Sequence, residues 1–116
     1  MSDNHRTVWV VNDSGHDYSS GAKYGKLKPL TKGPVNIFTT HELLSELKNT
    51  LADSRAEDIL MYSGGPARIA VLASHIMMTK HGVVNELIFG HTKSEYTKRE
   101  FTFGDVADGL NQTRKE

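Results

Sequence analysis

The chain has 116 residues, with 14 basic and 14 acidic side chains, 37% hydrophobic residues and no cysteine. This length is typical of one domain, and the lack of cysteine excludes disulfides, thiolate metal sites and a cysteine nucleophile. A formal net charge of zero argues against general nucleic-acid binding and against attachment to a membrane surface by charge. The N-terminus has no apolar signal-peptide region and no apolar run is long enough to span a membrane, so we expect a cytoplasmic protein.

The first half of the chain predicts two strands and one amphipathic helix. Residues 7–11 form a continuously apolar run, which indicates a strand covered on both faces. A short helical segment is expected at residues 19–24, then an edge strand at 26–30, because it contains Pro29. Residues 35–38 predict a short extended segment. Thr39 and Glu42 then have the spacing of a capping box, and the helix that follows carries one apolar stripe of Leu43, Leu44, Leu47 and Leu51.

The second half predicts two buried strands that flank a long helix. The strands are expected at residues 59–62 and 83–89, and the helix between them at 66–81, ending at Gly82. This helix is apolar around most of its girth, so we expect it to be the best-buried helix. Residues 96–103 alternate in polarity, which is typical of a half-exposed antiparallel edge strand. We expect one domain over residues 1–104 and a loosely ordered tail over 105–116.

Alternation of strands and helices predicts a small single-domain α/β fold of Rossmann-like type. The sheet should be mainly parallel, with about five strands and one antiparallel edge strand. A homodimer or larger homo-oligomer is also expected, because the long helix carries apolar residues on more sides than a small monomer can cover. Its Met77 and Met78 occupy neighbouring faces.

Two polar or glycine-rich loops follow buried strands, where ligands bind in open parallel sheets. The loop after the second of these strands contains two glycines and opens a helix that has an arginine in its first turn. Its free N–H groups and the arginine favour the binding of an anion such as phosphate. The loop after the first strand offers carboxylates, a hydroxyl and an imidazole for ribose or amide groups. The candidate ligand-binding residues are Asn12, Asp13, Ser14, Gly15, His16, Asp17, Ser63, Gly64, Gly65 and Arg68.

Each loop also has a plainer interpretation, as an ordinary polar turn. A catalytic triad of Ser14, His16 and Asp17 is disfavoured, because triads draw their members from separate elements and no G-x-S-x-G elbow is present. His75 and His81 are six positions apart, which does not place them on one face of a helix. We therefore expect no catalytic residue, no metal site and no cofactor.

Three segments carry a resemblance to known proteins: residues 8–19 (VWVVNDSGHDYS), 35–38 (VNIF) and 80–85 (KHGVVN). With these segments the chain resembles small proteins of tailed phages and prophages. The resemblance implies a phage gene product that acts inside a bacterial host. Some small phage proteins sequester nucleotide immune signals and others bind host enzymes, so both roles follow as expectations by analogy.

Three functions remain open at this point. The first is non-catalytic binding of a nucleotide-like or phosphorylated small molecule by the two loops, which would allow sequestration of a host nucleotide signal. The alternative is a structural or host-interaction protein without a small-molecule site, suggested by the exposed edge strand. The second alternative is a small transferase or hydrolase acting on a nucleotide through Asp13, His16 or Asp17.

Overall fold

A single five-stranded sheet organises the chain in the computed structural model, which describes residues 6–90, 92 and 94–110. The strands stand in the order β2-β1-β3-β4-β5. The first four in the chain are parallel and β5 runs antiparallel to β4. A compact α/β domain with a mostly parallel sheet and an antiparallel edge pair is therefore confirmed. The strands are β1 (Thr7–Val10), β2 (Lys26–Pro29), β3 (Ile59–Met61), β4 (Val83–Gly90) and β5 (Glu95–Thr102).

Both faces of the sheet are covered, but by different structures. On one face, the leucines of α1 and the Ile69, Ala73 and Met77 stripe of α2 pack on Trp9 and Leu60. On the other face, Val8, Val10 and their neighbours are covered by tyrosines from and beside a short 3₁₀ helix. This double cover explains the unbroken apolar run of β1. The helices are α1 (Thr40–Thr50), α2 (Ala67–His81) and α3 (Phe103–Ala107), with 3₁₀ helices at Ser19–Tyr24 and Leu51–Asp53.

The segment before α1 differs from the sequence prediction. Residues 35–38 were expected to be extended, but Ile37 and Phe38 form a turn in which the Asn36 side chain accepts the N–H of Phe38 at 3.0 Å. The capping box is also wrong, because the Thr39 hydroxyl donates to the carbonyl of Asn36 at 3.4 Å and no side chain caps α1. The Thr39 hydroxyl thus bonds within the local turn before the helix, a common alternative to capping for this residue type.

Helix α2 buries less of its surface than its composition suggested. Its buried residues, Ile69, Ala73 and Met77, form one stripe, while Val71 on another side is half exposed. Gly82 ends the helix as predicted, in the left-handed region with φ of 76°, and its N–H donates to Met78. No helix in the described ranges is long and apolar enough to cross a membrane.

The end of β5 also differs from the prediction. Phe103 was expected in the strand, but it begins α3, where the Thr102 side chain and Asp105 form a capping box. The strand ends there because this reciprocal capping favours helical geometry from Phe103 onward. Helix α3 occupies the start of the expected tail, and residues 111–116 lie outside the described part of the chain.

Two polar clusters secure the edge of the sheet at which β1 and β3 begin. The buried Asp58 carboxylate accepts the backbone N–H groups of Thr7 and Arg55, both at 3.0 Å, and the Trp9 indole N–H at 3.2 Å. At the end of α2, the Lys80 ammonium donates to carbonyls of the Leu51–Asp53 3₁₀ helix and His81 lies 2.9 Å from the Ser54 hydroxyl. These groups support the frame, at the edge opposite to the candidate site.

Candidate functional site

The two candidate loops lie side by side, because β1 and β3 are neighbours in the sheet. The chain passes from β1 to β2 on one side and returns to β3 on the other, so the strand order reverses between β1 and β3. Crevices at such a reversal, beyond the carboxyl ends of the strands, are where open α/β sheets bind ligands. The two loops therefore meet at this edge, where Asn12 and Ser63 are in contact.

Hydrogen bonds between Asn12 and Ser63 connect the two loops. The Asn12 N–H donates to the Ser63 hydroxyl at 3.2 Å, and that hydroxyl donates to the Asn12 carbonyl at 3.0 Å. The Asn12 side chain is buried and donates to Thr31 Oγ1 at 2.9 Å and to the Gly33 carbonyl at 3.0 Å. These contacts place Asn12 and Ser63 in a structural role, in which they hold three loops at one edge of the sheet.

The rest of the loop after β1 is shaped by bonds to its own backbone. The Asp13 carboxylate accepts the Gly15 N–H at 3.1 Å, and the Tyr18 hydroxyl both donates to the Asn12 carbonyl and accepts the Ser14 N–H at 3.0 Å. Asp17 accepts the Ser19 N–H at 2.9 Å, and these bonds to Ser19 lower the pKa of the Asp17 carboxyl. Asp17 is therefore negatively charged at neutral pH.

Three predicted residues of this loop line a cleft of about 360 Å³. The polar side chains in it are those of Asp13, His16, Asp17 and Ser19, and the apolar lining comes from Val10, Tyr18, Leu27 and Pro29. Lys28 also lines the cleft, but its ammonium lies over the Trp9 ring, 5.9 Å from the ring centre. The cleft thus offers carboxylates, a hydroxyl and an imidazole, which suit hydroxyl and amino groups better than a phosphate.

The glycine-rich turn after β3 forms a second, chemically different part of the edge. Gly64 has φ of 92° and open space where a Cβ would stand, whereas Gly65, with φ of 78°, lies against the Asn12 side chain. Arg68, on the first turn of α2, donates to Thr40 Oγ1 at 2.5 Å and so joins the starts of α1 and α2. Neither helix start has a side-chain cap, and both dipoles direct partial positive charge toward this region.

The candidate residues did not include Tyr18, Ser19 or Thr40, which the structure places beside them. Tyr18 is the last residue of the predicted loop and Ser19 follows it, and an aromatic residue at the end of a polar turn was the available signal. Thr40 carried no local signal, because the sheet topology alone brings the start of α1 beside α2. Within the described ranges, no three His, Asp or Glu side chains converge in a way that would hold a metal ion.

Comparison with known proteins gives one match. The family model described as phage Pam3 gp32-like protein matches residues 5–103, which is most of the chain. Comparison with curated proteins and with solved structures found no significant match. The family match confirms the resemblance to small phage proteins, and the chain belongs to the phage Pam3 gp32-like protein family.

Proposed function

We propose that the protein binds a nucleotide-like phosphorylated small molecule at the carboxyl edge of β1 and β3, and does not transform it. The observation that carries the proposal is the reversal of strand order between these strands, which supports a frame of Rossmann-like type. Ligand sequestration inside a bacterial host, in the cytoplasm, is the role that a phage protein of this kind would serve.

The two parts of the edge suit the two ends of such a ligand. Asp13, Asp17 and Ser19 in the acidic cleft are suited to ribose hydroxyls or base amino groups. The open backbone at Gly64 and the guanidinium of Arg68 are suited to a phosphate, since glycine admits a ligand to the backbone and arginine binds phosphate with two hydrogen bonds. The Asn12–Ser63 pair holds the two parts in a fixed relation, which lowers the ordering cost of binding.

A thermal-shift panel of nucleotides, cyclic nucleotides and ADP-ribose derivatives tests the proposal. A true ligand at a hundred times its Kd stabilises the folded state by about 2.7 kcal/mol, which corresponds to a Tm rise of roughly 10 °C for a domain of this size. The matching nucleosides, which lack the phosphate, should give a smaller shift. If no member of the panel raises Tm, the protein does not bind this class of ligand.

Titration calorimetry of variants then locates the site. Arg68→Ala should weaken a phosphorylated ligand by about 1.5–3 kcal/mol, the range for a hydrogen bond to a charged group. Arg55→Ala is the matched control, because Arg55 is also exposed but lies at the opposite edge and pairs with Glu57. Wild-type affinity in a folded Arg68→Ala protein would remove Arg68 from the site.

A further inference from the structure

The two outer strands of the sheet differ in how open they are to another strand. Strand β2 has four residues, Lys26–Pro29, and its lysines and proline discourage pairing with another chain. Strand β5 has eight residues, Glu95–Thr102, without proline. Among the described residues, no strand pairs with its outer edge. One long edge therefore presents backbone N–H and C=O groups along its length.

An apolar groove lies beside this edge. It has a volume of about 840 Å³ and lies between α2, β5 and α3, with Met78, Phe101, Phe103 and Val106 among its lining residues. Phe103 is 64% exposed and Val106 is 50% exposed. At the other end of the β4–β5 pair, Ile88 is 42% exposed. Exposed apolar surface next to an open strand edge is typical of a protein–protein interface.

We propose that β5 pairs with β5 of a second copy of this chain, antiparallel, about a twofold axis at Arg99. The proposed ligand site at the edge of β1 and β3 has no part in this interface. The partner is a second copy rather than another protein because the charges on β5 complement themselves when the strand pairs with its own copy.

Charge and the length of overlap together select the register. When two identical strands pair about a twofold axis normal to the sheet, the residue on the axis faces itself and its neighbours face each other crosswise. The central residues of β5 are Lys98, Arg99 and Glu100. With Arg99 on the axis, Lys98 of each copy faces Glu100 of the other, which gives two attracting pairs. With Lys98 or Glu100 on the axis, that residue faces its own charge and no attracting pair forms. With Thr97 on the axis, Glu95 of each copy faces Arg99 of the other, but the two strands then pair only over residues 95–99 instead of 96–102.

The two Arg99 side chains on the twofold axis carry the same charge, and carboxylates in the same row of the sheet compensate it. Arg99 stands opposite Glu86 of β4 in the register of its own chain. The row across the paired sheets therefore reads Glu86, Arg99, the second copy's Arg99 and the second copy's Glu86. Two negative charges flank the two positive ones, so the row is neutral.

The same register also brings apolar residues together. Thr97, which pairs with Ile88 in its own chain, faces Phe101 of the second copy. Ile88 and the groove residue Phe101 thus fall in one continuous row on the helix-covered face. On the other face, Tyr96 faces Thr102 of the second copy. Apolar rows on both faces flank the central charged rows, which is a favourable arrangement for strand pairing.

Charge reversal on β5 tests the interface. The full chain should have twice the 12.9 kDa mass of one chain in sedimentation or light scattering at about 100 µM. Lys98→Glu and Glu100→Lys should each raise the dimer Kd by roughly tenfold or more, because attracting pairs become repelling ones. Mixing the two variants should restore dimers, because each strand then faces its opposite charge. Lys48→Glu and Glu46→Lys on the exposed side of α1 are matched controls that should dimerise normally.

Three outcomes would overturn the proposal: a wild-type monomer at this concentration, dimers unaffected by the β5 reversals, or a mixture of the two variants that stays monomeric. Lys98 is only 30% exposed and donates to Asn85 Oδ1 at 3.4 Å. Because Lys98→Glu removes this bond, the substitution also affects the stability of the folded chain. Circular dichroism checks each variant. If Lys98→Glu does not fold, the comparison of Glu100→Lys with Glu46→Lys decides the question, because Glu100 is 62% exposed.

Discussion

The two adjacent glycines after β3 give a matched pair for testing how the candidate edge is held. Both have a positive φ, 92° at Gly64 and 78° at Gly65, so a side chain at either position strains the backbone. Only Gly65 has a close neighbour, because a Cβ there would stand 2.9 Å from Asn12 Cβ, whereas the space at Gly64 is open. Gly64→Ala therefore measures the backbone cost alone, and Gly65→Ala adds the contact.

The expected magnitudes follow from these distances. The left-handed conformation costs an alanine about 1–2 kcal/mol, and we expect Gly64→Ala to lose that amount of unfolding free energy. Asn12 cannot move aside cheaply, since its side chain and backbone bond to Thr31, Gly33 and Ser63. Overpacking of this kind costs about 1–3 kcal/mol more, so Gly65→Ala should lose about 2–5 kcal/mol in total.

Urea unfolding, followed by the fluorescence of the buried Trp9, measures both variants. Because this is the single tryptophan of the chain, its signal reports the unfolding of β1 and the adjoining core. Equal losses in the two variants would refute the contact between Gly65 and Asn12. An m-value that differs from that of the wild type would indicate a changed unfolded or native state. The free energies of unfolding of Gly64→Ala and Gly65→Ala are therefore compared only if the two variants have equal m-values.

Three further predictions concern the frame. Asp58→Ala should cost about 3 kcal/mol in urea unfolding, because it leaves the buried Trp9 indole N–H without its acceptor; a loss under about 1 kcal/mol would contradict this. Burial lowers the pKa of His81, and the nearby charge of Lys80 lowers it further. Neutral His81 therefore contributes stability that is present above pH 6.5 and is lost as the pH falls below that value. His81→Gln should remove that part of the pH dependence in melts between about pH 5 and pH 8, and an unchanged profile would refute it. Burial and Glu86 raise the pKa of Tyr62, and Tyr62→Phe should cost about 1.5 kcal/mol through the lost 2.6 Å bond to Glu86; unchanged stability would refute it.

Local patterns in the sequence were sufficient for the main elements and for the place of the candidate edge. The apolar run of β1, the leucine stripe of α1 and Gly82 at the end of α2 each act within a few residues of the chain. Pro29 similarly indicated the outer position of β2, because a proline cannot donate to a sheet on that side. Such signals are readable because backbone hydrogen bonding and side-chain periodicity are short-range properties.

The tertiary structure determined which candidate residues make structural contacts and which line the cleft. In the sequence, Asn12 and Asp13 are both polar loop residues with no feature that separates their roles. In the structure, Asn12 is buried and hydrogen bonds to neighbouring loops, whereas Asp13 lines the cleft. Arg68 bonds to Thr40, 28 positions away, because α1 and α2 begin at the same edge of the sheet. Partners so distant along the chain are chosen by strand order and packing, and no local pattern encodes them. The sequence therefore determined which residues reach the edge, and the fold decided which of them are buried and which line the cleft.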